Sequence, residues 1–97
     1  MAPGDRRVDR AMLRETVGAK VRMANPDEVL ALTGYPVGAV SPFAHPSPLP
    51  ILLDRSLGRH EVLWMSGGTT DTLMALSWSD LRRLTGGGLV DVTTVLT

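Results

Sequence analysis

Apolar and polar positions along this chain change period several times, and each change marks a candidate element. Asp9 can cap a helix running to about Val17, with Met12, Leu13 and Val17 on its apolar side and Gly18 placed for a left-handed stop. Arg7, Arg10 and Arg14 then share the opposite side. Lys20 to Ala24 alternates polar and apolar, which predicts a half-buried strand. A second helix is well marked: Asn25 caps it, Pro26 fits its first turn, Glu28 completes a capping box and Gly34 ends it.

From Tyr35 to Pro50 five prolines and one glycine, Gly38, exclude regular helix and predict a constrained loop. Ile51-Leu52-Leu53 reads as a short apolar strand. Glu61 to Met65 and Thr72 to Leu76 are strand-like runs around the turn-forming set Ser66 to Asp71, and should pair as a hairpin. Ser77, with Asp80 three residues on, caps a last helix from Trp78 to about Leu84, which Gly86-Gly87-Gly88 stops before a closing strand at Leu89 to Thr93. At strand and helix positions, Trp64 and Trp78 are expected in the core, with stacking on a base the alternative use. The order predicts one α+β domain over residues 1–97: a mixed, mostly antiparallel sheet with short flanking helices.

Composition narrows the function classes. At 43% hydrophobic and 21% charged the chain is of ordinary globular type. Ten basic and ten acidic side chains cancel, so any nucleic-acid contact must be local. Absence of cysteine removes disulfides, thiolate catalysis and sulfur-ligated zinc. Two histidines with scattered carboxylates give no metal-ligand spacing, and no cofactor motif is present. Met1 to Arg7 contains no apolar leader and no eighteen apolar residues run together, so the expected setting is cytoplasmic with no membrane partner.

Read as strings, Ala19 to Val29, then Thr33-Gly34-Tyr35-Pro36-Val37-Gly38-Ala39-Val40-Ser41-Pro42, then Leu49 to Asp54, Ser66-Gly67-Gly68 and Asp80 to Thr85 resemble the YbaK/prolyl-tRNA-editing family in the right order. The resemblance covers the C-terminal two-thirds of that domain, so the chain reads as N-terminally truncated. It implies an aminoacyl-tRNA deacylase that hydrolyses the ester of a mischarged amino acid at the tRNA 3′ acceptor end, commonly on tRNA for proline, with an aminoacyl-tRNA synthetase as a further partner. The family's Gly-x-x-x-Pro loop maps onto Gly38 to Pro42, which become the catalytic candidates. Val37, Ala39, Ser41, His45 and the turn Ser66, Gly67, Gly68 become the substrate-binding ones.

The residues themselves leave alternatives open. A glycine at 38 allows backbone to approach an ester carbonyl, but also simply serves a turn. His45 is either a pocket acid, base or donor, or a solvent-facing loop residue. Ser41 has no nameable base and is read as a pocket hydroxyl. Ser66-Gly67-Gly68 lacks the Lys-Ser/Thr ending of a phosphate-binding loop, and Thr69 and Thr70 stand where the family often has a basic residue. Arg7, Arg10 and Arg14 are either a stripe for tRNA phosphates or a solvated face. The family's functional lysine lies upstream of the matched strings, and Lys20 does not take its place. An editing enzyme, a non-catalytic tRNA- or synthetase-binding module and an inactive truncated fragment all remain readings, and an uncovered sheet edge would favour a homo-oligomer.

Overall fold

The computed structural model describes residues 1–96. Its elements are β1 (Arg6–Val8), α1 (Arg10–Val17), α2 (Pro26–Thr33), β2 (Leu52–Asp54), a 3-10 turn (Arg55–Arg59), β3 (Val62–Ser66), β4 (Leu73–Ser77), α3 (Trp78–Thr85), β5 (Gly88–Val90) and β6 (Thr93–Val95). The α+β class stands. The strands form three two-stranded sheets: β1 with β6 and β3 with β4 antiparallel, β2 with β5 parallel.

Local capping chemistry sets the helix ends. Asp9 accepts from the amides of Ala11 and Met12, and Gly18 closes α1 in the left-handed region at φ 74°. Asn25 and Glu28 form the reciprocal capping box of α2, which Gly34 ends at φ 78°. The Ser77 side chain accepts from the Asp80 amide at the start of α3. Arg22 forks onto Glu28 at 2.8 and 2.6 Å, and that guanidinium, aided by the Asn25 amide, holds the Glu28 carboxyl down to about 2. The pair is on the surface, so it orients the entry to α2 more than it stabilises the fold.

The core lies between β2, the hairpin and α3: Leu53, Leu57, Leu63, Met65 and Leu81 are buried together, with Phe43, Ile51, Met74, Leu76, Trp78 and Leu89 packed against them. Alternation along β3 sends Leu63 and Met65 inward and Val62 and Trp64 outward. Glycine is required where β5 crosses β2, because a Cβ on Gly87 would stand 2.8 Å from Leu53 Cγ.

Three expectations fail. Lys20 to Ala24 is not a strand: no other strand hydrogen-bonds to it among the described residues, and Met23 is 73% exposed. Alternation alone cannot satisfy a strand's backbone without a neighbour. Trp64 is 70% exposed rather than in the core, because the outer face of the hairpin is uncovered, whereas Trp78 does pack on the core beneath the Arg82 guanidinium. The single closing strand is two, β5 and β6, separated at Asp91-Val92, and β6 pairs with the short strand β1, which has no apolar period to reveal it.

That separation serves one group. Asp54 is 2% exposed and accepts from the Val92 amide at 2.9 Å, Thr93 Oγ1 at 2.9 Å, the Ser56 amide at 3.1 Å and the Ser56 hydroxyl. Thr93 in turn receives Arg6 Nε at 2.7 Å. Burial pushes the Asp54 carboxyl up, but these donors outweigh it and leave it below its ordinary value. A depressed folded value means the stabilisation is present above the unfolded value near 3.8 and is lost as pH falls below it. Asp54→Asn turns a donor toward donors and should cost about 2 to 3 kcal/mol at neutral pH. Urea melts from pH 7 to pH 2 should show the variant losing less on acidification than the parent chain.

Candidate functional site

The segment between α2 and β2 is fixed by its own side chains and by one anchor in the core. Thr33 Oγ1 donates to Val29 O at 2.6 Å and accepts from the Tyr35 amide at 3.1 Å, so the chain leaves α2 along a set path. Pro36 O accepts from the Ala39 amide at 3.0 Å, and Gly38 between them has φ 88°. This is the geometry of a type II turn, whose third residue favours glycine. A Cβ added at Gly38 would meet nothing within 4 Å. The turn tip is therefore open, and glycine is needed there for backbone conformation rather than for space inside the protein.

Beyond the tip the chain turns inward. Ala39 is 0% and Ser41 4% exposed, and Pro42 is buried. Ser41 Oγ accepts from the Phe43 amide at 3.2 Å, and Tyr35 donates its hydroxyl to Phe43 O at 2.8 Å while the Phe43 ring packs on the core. His45 Nε2 lies 2.8 Å from Ser41 O, and its ring meets Tyr35 edge-on at 6.2 Å between centroids. The residue that aims it, Ala44, is the one described non-glycine residue with positive φ, at 59°. That conformation costs an alanine about 1 kcal/mol.

Ser41, Pro42 and His45, with Thr33, Val40 and Ile51, line a cavity of about 220 Å³. Most of its wall is apolar, with a few polar groups converging, which is the usual character of a small-molecule site. A larger hollow of about 530 Å³ lies between the N-terminal residues and the hairpin, lined by Asp5, His60 and Trp64 among others. None of the expected site residues borders it.

The structure thus brings Gly38, Ala39, Ser41, Pro42 and His45 into one loop, while Val37 on the same turn is 58% exposed. The hairpin turn reaches this loop through Tyr35: a Cβ on Gly68 would stand 3.0 Å from Tyr35 Cε1. Ser66 Oγ accepts from the Gly68 amide at 3.1 Å, and Gly67 closes the hairpin by donating to Thr72 O. None of Ser66, Gly67 and Gly68 borders the 220 Å³ cavity. Thr33 and Ile51 do border it and were not candidates in the sequence; a threonine at a helix end and an apolar strand residue carry no chemical motif that would single them out.

No Lys or Arg lines the cavity. Arg7, Arg10 and Arg14 are exposed and form no ion pair among the described residues, whereas Arg22, Arg55, Arg59 and Arg83 each hold a carboxylate. Among the described residues no three His, Asp or Glu side chains gather where a metal ion could be held, and no helix is long and apolar enough to cross a membrane.

Comparison with known proteins places this arrangement in context. The sequence model described as the aminoacyl-tRNA editing domain matches residues 1–84. The uncharacterized protein YwhH of Bacillus subtilis (strain 168) is 35% identical over 81 residues, which are 84% of this chain and 52% of YwhH. A crystal structure described as that of a candidate trans-editing enzyme for prolyl tRNA synthetase superposes with TM-score 0.90 at 36% identity, over 94% of this chain and 58% of its own. That of hypothetical protein APE2540 does so with TM-score 0.87 at 37% identity, over 95% and 61%. The chain therefore spans about half the length of the curated relative it matches and about three-fifths of these structures.

Tyr35→Phe keeps the ring that meets Gly68 and His45 but removes the bond to Phe43 O, and should cost about 1 kcal/mol. Differential scanning calorimetry reads the loss, and amide exchange should locate it between Tyr35 and His45.

Proposed function

Because the chain belongs to the aminoacyl-tRNA editing domain family, we propose that it is an aminoacyl-tRNA deacylase acting in trans on mischarged tRNA, with tRNA for proline as its substrate. The observation that carries this reading is the open turn tip at Gly38 beside a walled cavity. The amides of Gly38 and Val40 donate to no protein acceptor among the described residues, and both residues are exposed. Such amides suit an ester carbonyl oxygen on which charge develops during hydrolysis.

In the proposed reaction the 3′ terminal ester lies across the turn with its amino-acid side chain in the cavity. A water oxygen bonds to the carbonyl carbon, and the loop amides stabilise the resulting oxyanion. The carbon–oxygen bond to ribose then breaks, the ribose oxygen takes a proton, and a free amino acid and uncharged tRNA leave. No side-chain nucleophile is required. Ser41, the one hydroxyl in the Gly38 to Pro42 loop, is 4% exposed and its Oγ is occupied with the Phe43 amide, while the nearby His45 imidazole bonds to the Ser41 carbonyl and not to the hydroxyl. Pro42 holds the buried half of the loop, and Val37, Ala39, Ser41 and His45 shape the approach. The Ser66 to Gly68 turn supports Tyr35 from behind. The exposed Arg7, Arg10 and Arg14 supply positive charge for tRNA phosphates on a chain whose net charge is zero. A synthetase partner and a cytoplasmic setting belong to the same reading.

One observation favours a second reading, a non-catalytic tRNA-binding module: no Lys or Arg side chain lines the cavity to assist the oxyanion. Incubation with Ala-tRNA(Pro) and Cys-tRNA(Pro) separates the two. Release of the esterified amino acid above the buffer rate is expected, and retention of tRNA without release would establish the binding module instead. Gly38→Ala should lower kcat at least tenfold while costing only about 1 kcal/mol of stability, since the new methyl meets no protein atom and only the positive φ is penalised.

A further inference from the structure

We infer that His45 is a positioning residue for the Gly38 to Pro42 loop, clasping it through the Ser41 carbonyl, and that the left-handed backbone at Ala44 exists to set this clasp. The inference rests on the proposed deacylase reading for its kinetic consequence only; the clasp itself stands on geometry.

Three observations converge. A carbonyl oxygen can only accept, so His45 Nε2 donates at 2.8 Å and must carry the ring proton. Ser41 O is the last carbonyl before Pro42, and proline has no amide of its own to tether that end of the loop. Without the imidazole, Ser41 O has no donor among the described residues. Finally, Ala44 adopts φ 59°, a conformation an alanine avoids unless surrounding contacts hold it there. The strained residue directly precedes the histidine that folds back four positions. Tyr35 then braces the imidazole edge-on and is itself bonded to Phe43 O. Tyr35, Ser41, Phe43 and His45 thus close a ring of contacts around the buried half of the loop, leaving the Gly38 tip free to meet substrate.

This role differs from that of a general base. A base needs a lone pair directed at water, whereas the clasp needs only an N–H at the Nε2 position. Glutamine places its amide nitrogen at nearly the same distance from the backbone, so His45→Gln keeps the clasp and abolishes any base.

The test compares His45→Ala, His45→Gln and Ala44→Val with the parent chain, by steady-state deacylation of Ala-tRNA(Pro) and by amide exchange at Ala39 and Phe43. His45→Ala should lower kcat by about 10- to 100-fold with little change in KM, as expected for a loop displaced by a fraction of an ångström. Exchange at Ala39 and Phe43 should accelerate at least tenfold. His45→Gln should return both readouts to within about threefold of the parent. Ala44→Val should reproduce the alanine variant without touching the imidazole, because a β-branched side chain resists positive φ. Equal losses in His45→Gln and His45→Ala would overturn the clasp in favour of a base. Unchanged exchange in a folded His45→Ala would overturn it outright. If the parent chain deacylates nothing, the functional proposal fails on its own, and the exchange pattern of the three variants still decides whether the clasp exists.

Discussion

A single buried carboxylate ties the sheets of this protein together. Asp54 ends β2, starts the 3-10 turn through Ser56, holds the Val92 amide between β5 and β6, and reaches β1 through Thr93 and Arg6. Each of the two sheets it joins has only two strands, too few to be stable alone. An aliphatic residue there would leave donors of Ser56, Val92 and Thr93 buried without acceptors, which costs more than the added apolar contact returns. The loop depends on this indirectly: β2 follows it in the chain, and Ile51, at the β2 entry, both lines the cavity and packs on the core.

What the sequence made legible was local. Caps at Asp9, Asn25 and Ser77, stops at Gly18, Gly34 and Gly86, and the hairpin all arise from interactions within a few residues, and all are present. What it did not show depends on distant partners. β1 is recognisable only through its pairing with β6, eighty-odd residues away, and the parallel pairing of β2 with β5 leaves no periodic trace in three-residue strands. Lys20 to Ala24 has the alternation of a strand but no neighbour to complete it.

Trp64 exposes a different limit. Alternation says that one face of a strand is buried, yet not whether the other face is covered. Here Val62, Trp64 and Leu73 are between 53% and 71% exposed on the outer side of the hairpin. The accessible surface is 6577 Å², whereas a folded chain of 10.4 kDa is expected to expose about 5,400 Å². An expanded surface of this kind goes with a core of few fully buried side chains, Leu53 and Leu81 being the largest. Such a core is sensitive to any change at its centre, which is why Gly87, whose missing Cβ would fall on Leu53, matters as much as the leucine itself.

The candidate loop was recognised from its string of residues, but the string did not say how its parts divide the work. Gly38 has an ordinary conformational reason to be glycine, the positive φ of its turn, so its identity alone does not argue for a ligand. The contrast along the loop is more telling. Within five residues the chain passes from an open tip, where the Gly38 amide is committed to no protein group among the described residues, to a buried Ser41-Pro42 pair held by Phe43, Tyr35 and His45. A turn that merely redirected the chain would need neither the strained Ala44 nor three side-chain bonds to keep its far half still. Rigid support beneath an exposed backbone edge is the arrangement that electrostatic stabilisation of an oxyanion demands, because donors that must reorganise during the reaction contribute little. The sequence located this edge; the contacts behind it show what keeps it in place.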